Sequence, residues 1–228
     1  MTRAHAILFD LDGTLLDTAP DMIGALNLLR QEEGLEPLPF SAVRSSVSHG
    51  AVRLVTVGFP SAQGDEFERL RQRFLAIYSE NLAAGTRLFA GLEQVLAAFE
   101  VEGLPWGIVT NKPGWLTDPL VEQLDLARRA CCVVSGDTVN ERKPHPLPLL
   151  HAASLVGVEP ERCVYVGDAE RDIQAGRAAG MTTLVAAYGY ISASEDPLQW
   201  QPHGVVASPD ELLRWMEHRA EALLGSCA

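Results

Sequence analysis

Ala6-Ile7-Leu8-Phe9-Asp10-Leu11-Asp12-Gly13-Thr14 is the stretch that decides how this chain folds. An apolar run stops abruptly at two carboxylates spaced i, i+2, followed by a glycine and a threonine. A short, continuous apolar run bounded by a breaker has the pattern of a strand buried on both faces in a parallel sheet. In open α/β sheets the functional groups gather just past the carboxyl ends of such strands. Two aspartates this close repel each other unless a cation lies nearby. A hard divalent ion with oxygen ligands, Mg2+ first, meets that need. A calcium loop does not fit. Counted from Asp10, position twelve is Asp21 instead of glutamate, and Leu15 and Leu16 intrude.

Working outward, three more segments end in polar groups after strand-like runs. Trp106-Gly107-Ile108-Val109 leads into Thr110-Asn111, a hydroxyl and an amide able to donate hydrogen bonds to a phosphate. Lys143-Pro144 follows the polar stretch Gly136 to Arg142 and precedes a helical pattern from Pro146 to Val156; Lys112-Pro113 offers a competing lysine. Cys163-Val164-Tyr165-Val166 runs into Gly167-Asp168-Ala169-Glu170-Arg171-Asp172. From Gly91 onward, strand and helix patterns alternate over 106–110, 115–126, 131–135, 146–156, 163–167, 171–179, 182–187, 204–207 and 209–223. With the first strand back at residue 5, this predicts an α/β protein built on a doubly wound parallel sheet.

Between Asp17 and about Gly85 the pattern is helical instead. Thr18 is placed to cap a helix with Pro20 in its first turn that ends at Gly34. Ser41 is placed to cap a short helix through Val47, and Gly50 to Gly58 suits another. Phe67, Leu70, Phe74, Ile77, Tyr78 and Leu82 stripe an amphipathic helix over 64–83. The expected division is therefore a core of residues 1–16 and 87–228 interrupted by a helical insert of residues 17–86, with turning points at Asp17-Thr18 and Thr86 to Gly91.

A chain of 228 residues with 47% apolar content can bury a substantial core. Its net charge of −12 leaves no basic surface for a nucleic-acid backbone or an anionic membrane. No segment has the roughly 18 apolar residues of a membrane helix. With the first strand starting almost at once, no room is left for a signal peptide, and a cytoplasmic location is expected. Cys131, Cys132, Cys163 and Cys227 show no metal or disulfide spacing. A monomer or homodimer acting on a small molecule fits these properties.

DLDGT after a hydrophobic strand, Thr-Asn after a second, Lys143 ahead of a third, and GDxxxD after it occur here in the order of the haloacid dehalogenase superfamily, most of whose members are phosphohydrolases. The chain resembles that family along essentially its whole length. The resemblance implies that Asp10 is the nucleophile and Asp12 the general acid/base. Gly13, through backbone amides near it, Thr110 and Asn111 bind the phosphoryl oxygens, and Lys143 orients the nucleophile. It places Mg2+ on Asp10, the Asp12 carbonyl and Asp168, with Asp172 behind them. The helical insert resembles the family's α-helical cap, which closes over the site and selects the leaving group.

Within the insert, Ser46-Val47-Ser48-His49-Gly50-Ala51-Val52-Arg53 sets two donors, His49 and Arg53, beside a glycine. The planar fork of Arg53 suits a substrate carboxylate. The chain looks most like phosphoglycolate phosphatases. Trp106 to Pro113 and Tyr188 to Ile191 resemble a subgroup acting on N-acetylmuramic acid 6-phosphate. Tyr188 to Ile191 also reads as a loop packed on the sheet edge. The expected activity is hydrolysis of such a carboxylate-bearing phosphomonoester. A phosphosugar mutase of the same superfamily is the alternative, and a non-catalytic phospho-ligand binding module stands behind it.

Overall fold

In the computed structural model, which describes residues 5–224, β1 (Ala6–Phe9) lies at the centre of a six-stranded sheet. Its partners are β4 (Trp106–Val109) on one side and β6 (Cys163–Gly167) on the other, both parallel. Beyond them lie β5 (Val133–Val134), β7 (Thr182–Ala186) and β8 (Gly204–Val206), giving the order β5-β4-β1-β6-β7-β8. Each residue of β1 is fully buried, as a strand covered on both faces must be. The strand order reverses at β1, so β1, β4 and β6 open a crevice at their carboxyl ends.

Helices α5 (Leu92–Val101), α6 (Gly114–Gln123), α7 (Leu147–Val156), α8 (Glu170–Ala178) and α9 (Pro209–Leu224) belong to this sheet. One face packs Ile7, Phe9, Leu96, Phe99, Ile108 and Leu212 together; the other packs Leu8, Val109, Leu149, Ala152 and Tyr165. The strand expected over 131–135 is confined to Val133–Val134, and α5 forms where no element was foreseen. Among the described residues no helix is long and apolar enough to cross a membrane. Cys227 lies outside the described residues.

The helical segment contains α1 (Ala19–Glu32), α2 (Phe40–Val43), a 3₁₀ stretch over Arg44–His49, α3 (Gly50–Gly58) and α4 (Gly64–Glu80). These helices pack around Leu26, Leu29, Val47, Leu54, Leu70 and Phe74, and meet the sheet domain at Leu116 and Tyr190. Two expected caps are corrected. The Thr18 hydroxyl turns to Met22 Sδ, and the Ala19 N–H donates instead to Tyr190 Oη at 2.9 Å. Ser41 lies inside α2, whose cap position is Pro39.

The chain enters and leaves this segment through a small antiparallel pair, β2 (Leu16–Asp17) and β3 (Arg87–Leu88). Two-residue strands carry too little periodicity to be read from sequence. Asp21 braces the crossing by accepting from Gly85 N–H (2.6 Å), Thr86 N–H (2.9 Å) and the Thr86 hydroxyl (2.6 Å).

Candidate active site

Asp10 is the first residue beyond β1, and its N–H donates to the Val166 carbonyl on β6, so the backbone here is fixed by the sheet itself. Its carboxylate is buried, and Oδ1 accepts from the Leu11 N–H (2.8 Å) and pairs with Lys143 Nζ (2.7 Å). Among the described residues Oδ2 has no protein partner. Lys143 is fully buried and also pairs with Asp172 Oδ1 (2.8 Å), while donating to Tyr165 Oη (2.7 Å) and the Val109 carbonyl (2.9 Å). One ammonium thus separates two carboxylates and anchors itself to the floor of the sheet. The competing Lys112 also reaches the site, but its ammonium meets Asp12, at 3.0 and 3.2 Å from the two oxygens.

Asp168, past the end of β6, is buried. Its Oδ2 accepts from Ser48 Oγ (2.6 Å) of the helical segment and from the Tyr190 N–H (2.9 Å). Asp172 accepts from the Ala169 N–H (3.0 Å), so it, not Asp168, ties down the start of α8. Ligand oxygens of Asp10, Asp168 and Asp172 lie within 4.8 Å of one another.

Charge in this cluster is unbalanced. Asp10, Asp12, Asp168 and Asp172 are set against Lys112, Lys143 and Arg171, one positive charge short. Burial, reinforced by Asp10 and Asp172, pushes the Asp168 carboxyl up to about 7. Burial and the Asp172 charge raise Asp10, against the pull of Lys143. Burial works against ionisation of Asp172 as well, but Lys143 and Arg171 hold it below the ordinary carboxylate range. A buried all-oxygen donor set with a deficit of positive charge is what a hard divalent cation requires.

Over the aspartates lies a cavity of about 690 Å3 between the sheet and the helical segment. Asp10, Asp12 and Thr110 line its floor; Ser48, His49 and Tyr78 line its roof. Burial and the neighbouring Arg171 lower the His49 imidazole below its ordinary value. Burial pushes the Tyr78 phenol up to about 12, which keeps it protonated. Arg171 crosses from α8 to the roof, donating to the Ser48 carbonyl (2.6 Å) and contacting His49 Nδ1 at 3.3 Å.

The structure places three of the expected binding residues as follows. The Gly13 N–H itself donates to the Leu16 carbonyl (3.0 Å), so the expected amides near Gly13 do not include its own. Gly13 has another purpose: at φ +87° a Cβ would stand 2.1 Å from Asp168 Oδ2 and 2.7 Å from the Tyr190 ring. Asn111 lines the cavity, but its amide exchanges two hydrogen bonds with the Lys143 backbone (2.9 and 3.0 Å) and holds that loop in place. Arg53 is exposed and does not line the cavity. The cavity's arginines are Arg71, Arg142 and Arg171. The loop at Tyr188 to Ile191 is more than sheet-edge packing, since Tyr190 also donates to Asp17 Oδ1 (2.7 Å) at the start of the helical segment.

Gly13→Ala is expected to force Asp168 and the Tyr190 loop apart. It should destabilise the protein by about 1–3 kcal/mol and weaken divalent-cation binding, measured by urea denaturation and by calorimetric titration with Mg2+.

A family model described as haloacid dehalogenase-like hydrolase matches residues 7–186. A phosphoglycolate phosphatase of Xanthomonas campestris pv. campestris (strain 8004) is 45% identical over 212 residues, covering 93% of this chain and 96% of the relative. An N-acetylmuramic acid 6-phosphate phosphatase of Pseudomonas aeruginosa is 43% identical over 212 residues, covering 92% and 94%. The crystal structure of a predicted phosphoglycolate phosphatase from Haemophilus somnus 129pt aligns with a TM-score of 0.83 at 27% identity, over 94% of this chain and 98% of that one. The matched segment holds the aspartate cluster and the strands up to β7, with β8 beyond it, and the chain belongs to the haloacid dehalogenase-like hydrolase family.

Proposed function

We propose that the protein is a Mg2+-dependent phosphomonoester hydrolase working through an aspartyl-phosphate, on a small phosphate ester that carries a carboxylate. The observation that carries this reading is Asp10: buried beyond β1, braced through Oδ1 by Leu11 and Lys143, with Oδ2 left for attack. Asp10 attacks phosphorus in line while Lys143 and the Thr110 hydroxyl hold the phosphoryl oxygens. Asp12 gives a proton to the departing alkoxide, then takes one from the water that hydrolyses the aspartyl-phosphate. Asp10, Asp168 and the Asp12 carbonyl would hold the cation, with Asp172 behind, and it would supply positive charge to offset the aspartates and the phosphoryl group.

For the substrate, 2-phosphoglycolate and N-acetylmuramic acid 6-phosphate both combine a carboxylate with a phosphomonoester. A cavity of about 690 Å3 has room for the larger of the two, and Arg71, Arg142 and Arg171 replace Arg53 as candidate partners of the carboxylate. The relatives give no support to the mutase or binding-module alternatives. The testing experiment is Mg2+-dependent phosphate release across both esters and simple sugar phosphates. The expected result is a kcat/KM for one carboxylated ester at least about tenfold above the uncharged sugars, since a matched charge contact contributes more than 1 kcal/mol. Equal rates on all esters would remove the carboxylate from the reading, and no release from any of them would remove the hydrolase.

A pH prediction follows from Asp168. Its folded-state carboxyl lies above the ordinary 3.8, so the metal-free fold binds a proton that the unfolded chain does not. That contribution is present at low pH and lost as pH rises toward about 7. Cation binding displaces the same proton. Mg2+ affinity should therefore be about tenfold weaker at pH 6 than at pH 8. Calorimetric titration at the two pH values measures this; equal affinities would contradict it.

A further inference from the structure

Lys112 stands directly after Thr110-Asn111, on the loop between β4 and α6, a place where a lysine is ordinarily solvated. Here it is 7% exposed. Its backbone is fixed on both sides: the N–H donates to Thr110 Oγ1 (3.1 Å), and the carbonyl accepts from the Gly136 N–H (2.8 Å). The ammonium has three donors. It reaches both oxygens of Asp12, at 3.0 and 3.2 Å, and the hydroxyl of Tyr78 at 2.9 Å. The Tyr78 ring also faces it, with the ammonium 4.6 Å from the centroid.

Tyr78 does not belong to the sheet domain. It comes from α4 of the helical segment, is buried among that segment's apolar residues, and stacks against Phe74. An ammonium desolvated this thoroughly takes its direction from its partners. With Tyr78 in place, Lys112 is held against Asp12; without it, the ammonium faces the open cavity and water.

We propose that Lys112 and Tyr78 are positioning residues for Asp12: Lys112 fixes the carboxyl group where it meets the leaving group, and Tyr78 makes that arrangement depend on the docked helical segment. This rests on the reading of Asp12 as acid/base. In the first step a bond forms between Asp10 and phosphorus, the ester P–O bond breaks, and the Asp12 proton passes to the departing oxygen. Lys112 neutralises the carboxylate left behind. In the second step that carboxylate takes a proton from the attacking water, returning Asp10 and releasing inorganic phosphate.

A purely structural ion pair makes a different prediction, because an aryl leaving group departs without a proton and an alkyl one does not. The experiment compares kcat/KM, which reports events up to loss of the leaving group, for 2-phosphoglycolate and for p-nitrophenyl phosphate with Mg2+ present. Asp12→Asn should lose about 10²-fold or more on the alkyl ester and far less on the aryl ester. Lys112→Met should follow the same split, about 10²-fold against less than about 3-fold, and Lys112→Arg should recover part of the loss. Tyr78→Phe, which keeps the ring and the packing, should lose roughly 5–10-fold on the alkyl ester only. Equal losses on both esters, or no loss, in Lys112→Met and Tyr78→Phe would overturn the proposal. If Lys112→Met fails to fold, Tyr78→Phe alone decides. An Asp12→Asn enzyme indifferent to the leaving group would instead overturn the acid/base reading, and the proposal with it.

Discussion

Asp10→Asn is expected to cut turnover by about 10⁴-fold or more on every phosphomonoester the wild-type protein hydrolyses, while leaving the fold intact. The amide keeps the carbonyl oxygen that accepts from the Leu11 N–H and Lys143, so the loop after β1 has no reason to move. It removes a carboxylate that burial and Asp172 already press toward its neutral form, so the melting temperature should change by only a few degrees. In the proposed mechanism, what is lost is the nucleophilic oxygen. The measurement pairs steady-state phosphate release with a thermal melt. Substantial residual activity in a folded Asp10→Asn protein would rule out the aspartyl-phosphate route.

The second large effect is on stability as well as rate. In Lys143→Met the two carboxylates of Asp10 and Asp172 would face each other inside the sheet with no cation between them. Breaking a buried pair by removing one partner typically costs about 3–5 kcal/mol. For a domain of this size that corresponds to a fall in melting temperature of roughly 10 °C. Activity should drop with it, since the group that braces the nucleophile is gone. Adding Asp172→Asn should recover part of the stability and none of the activity. A double variant as unstable as the single one would show that packing of the lysine stem, not charge, holds this region. Denaturant titration and phosphate release separate the two.

These effects concern residues that the sequence exposed clearly, and the reason is geometric. Asp10 and Asp168 each follow an apolar run, so a one-dimensional pattern marks the end of a strand, and the end of a strand marks the crevice; Lys143, which follows a polar stretch, was marked only by its place ahead of the Asp168 segment. Helix α4 was legible too, because Phe67, Leu70, Phe74 and Ile77 keep helical spacing. The residues of the cavity roof were not. Arg53 carries the right chemistry on the outward face of α3, whereas Arg171, hidden in the same motif as Asp168, points into the cavity. Nothing local distinguishes an inward arginine from a solvated one. Tyr78 read as one more member of an apolar stripe, and its hydroxyl matters only because Lys112 stands opposite it across 34 residues of chain. Gly13 was legible as special but not for its true reason, which is the space it leaves for Asp168.

The central place of β1 has a consequence for how the protein is made. Among the described residues Ile7 to Phe9 pair only with Trp106 to Ile108 and with Val164 to Val166, so β1, made before both partners, is completed by segments about a hundred and about a hundred and sixty residues later. At roughly 5–20 residues per second, some 10–30 s of translation separate the appearance of β1 from that of its second partner. Through that interval a wholly apolar strand waits without a sheet. Slow translation and a shortage of chaperones should therefore threaten this chain at its first ten residues, well away from the surface that the finished molecule presents.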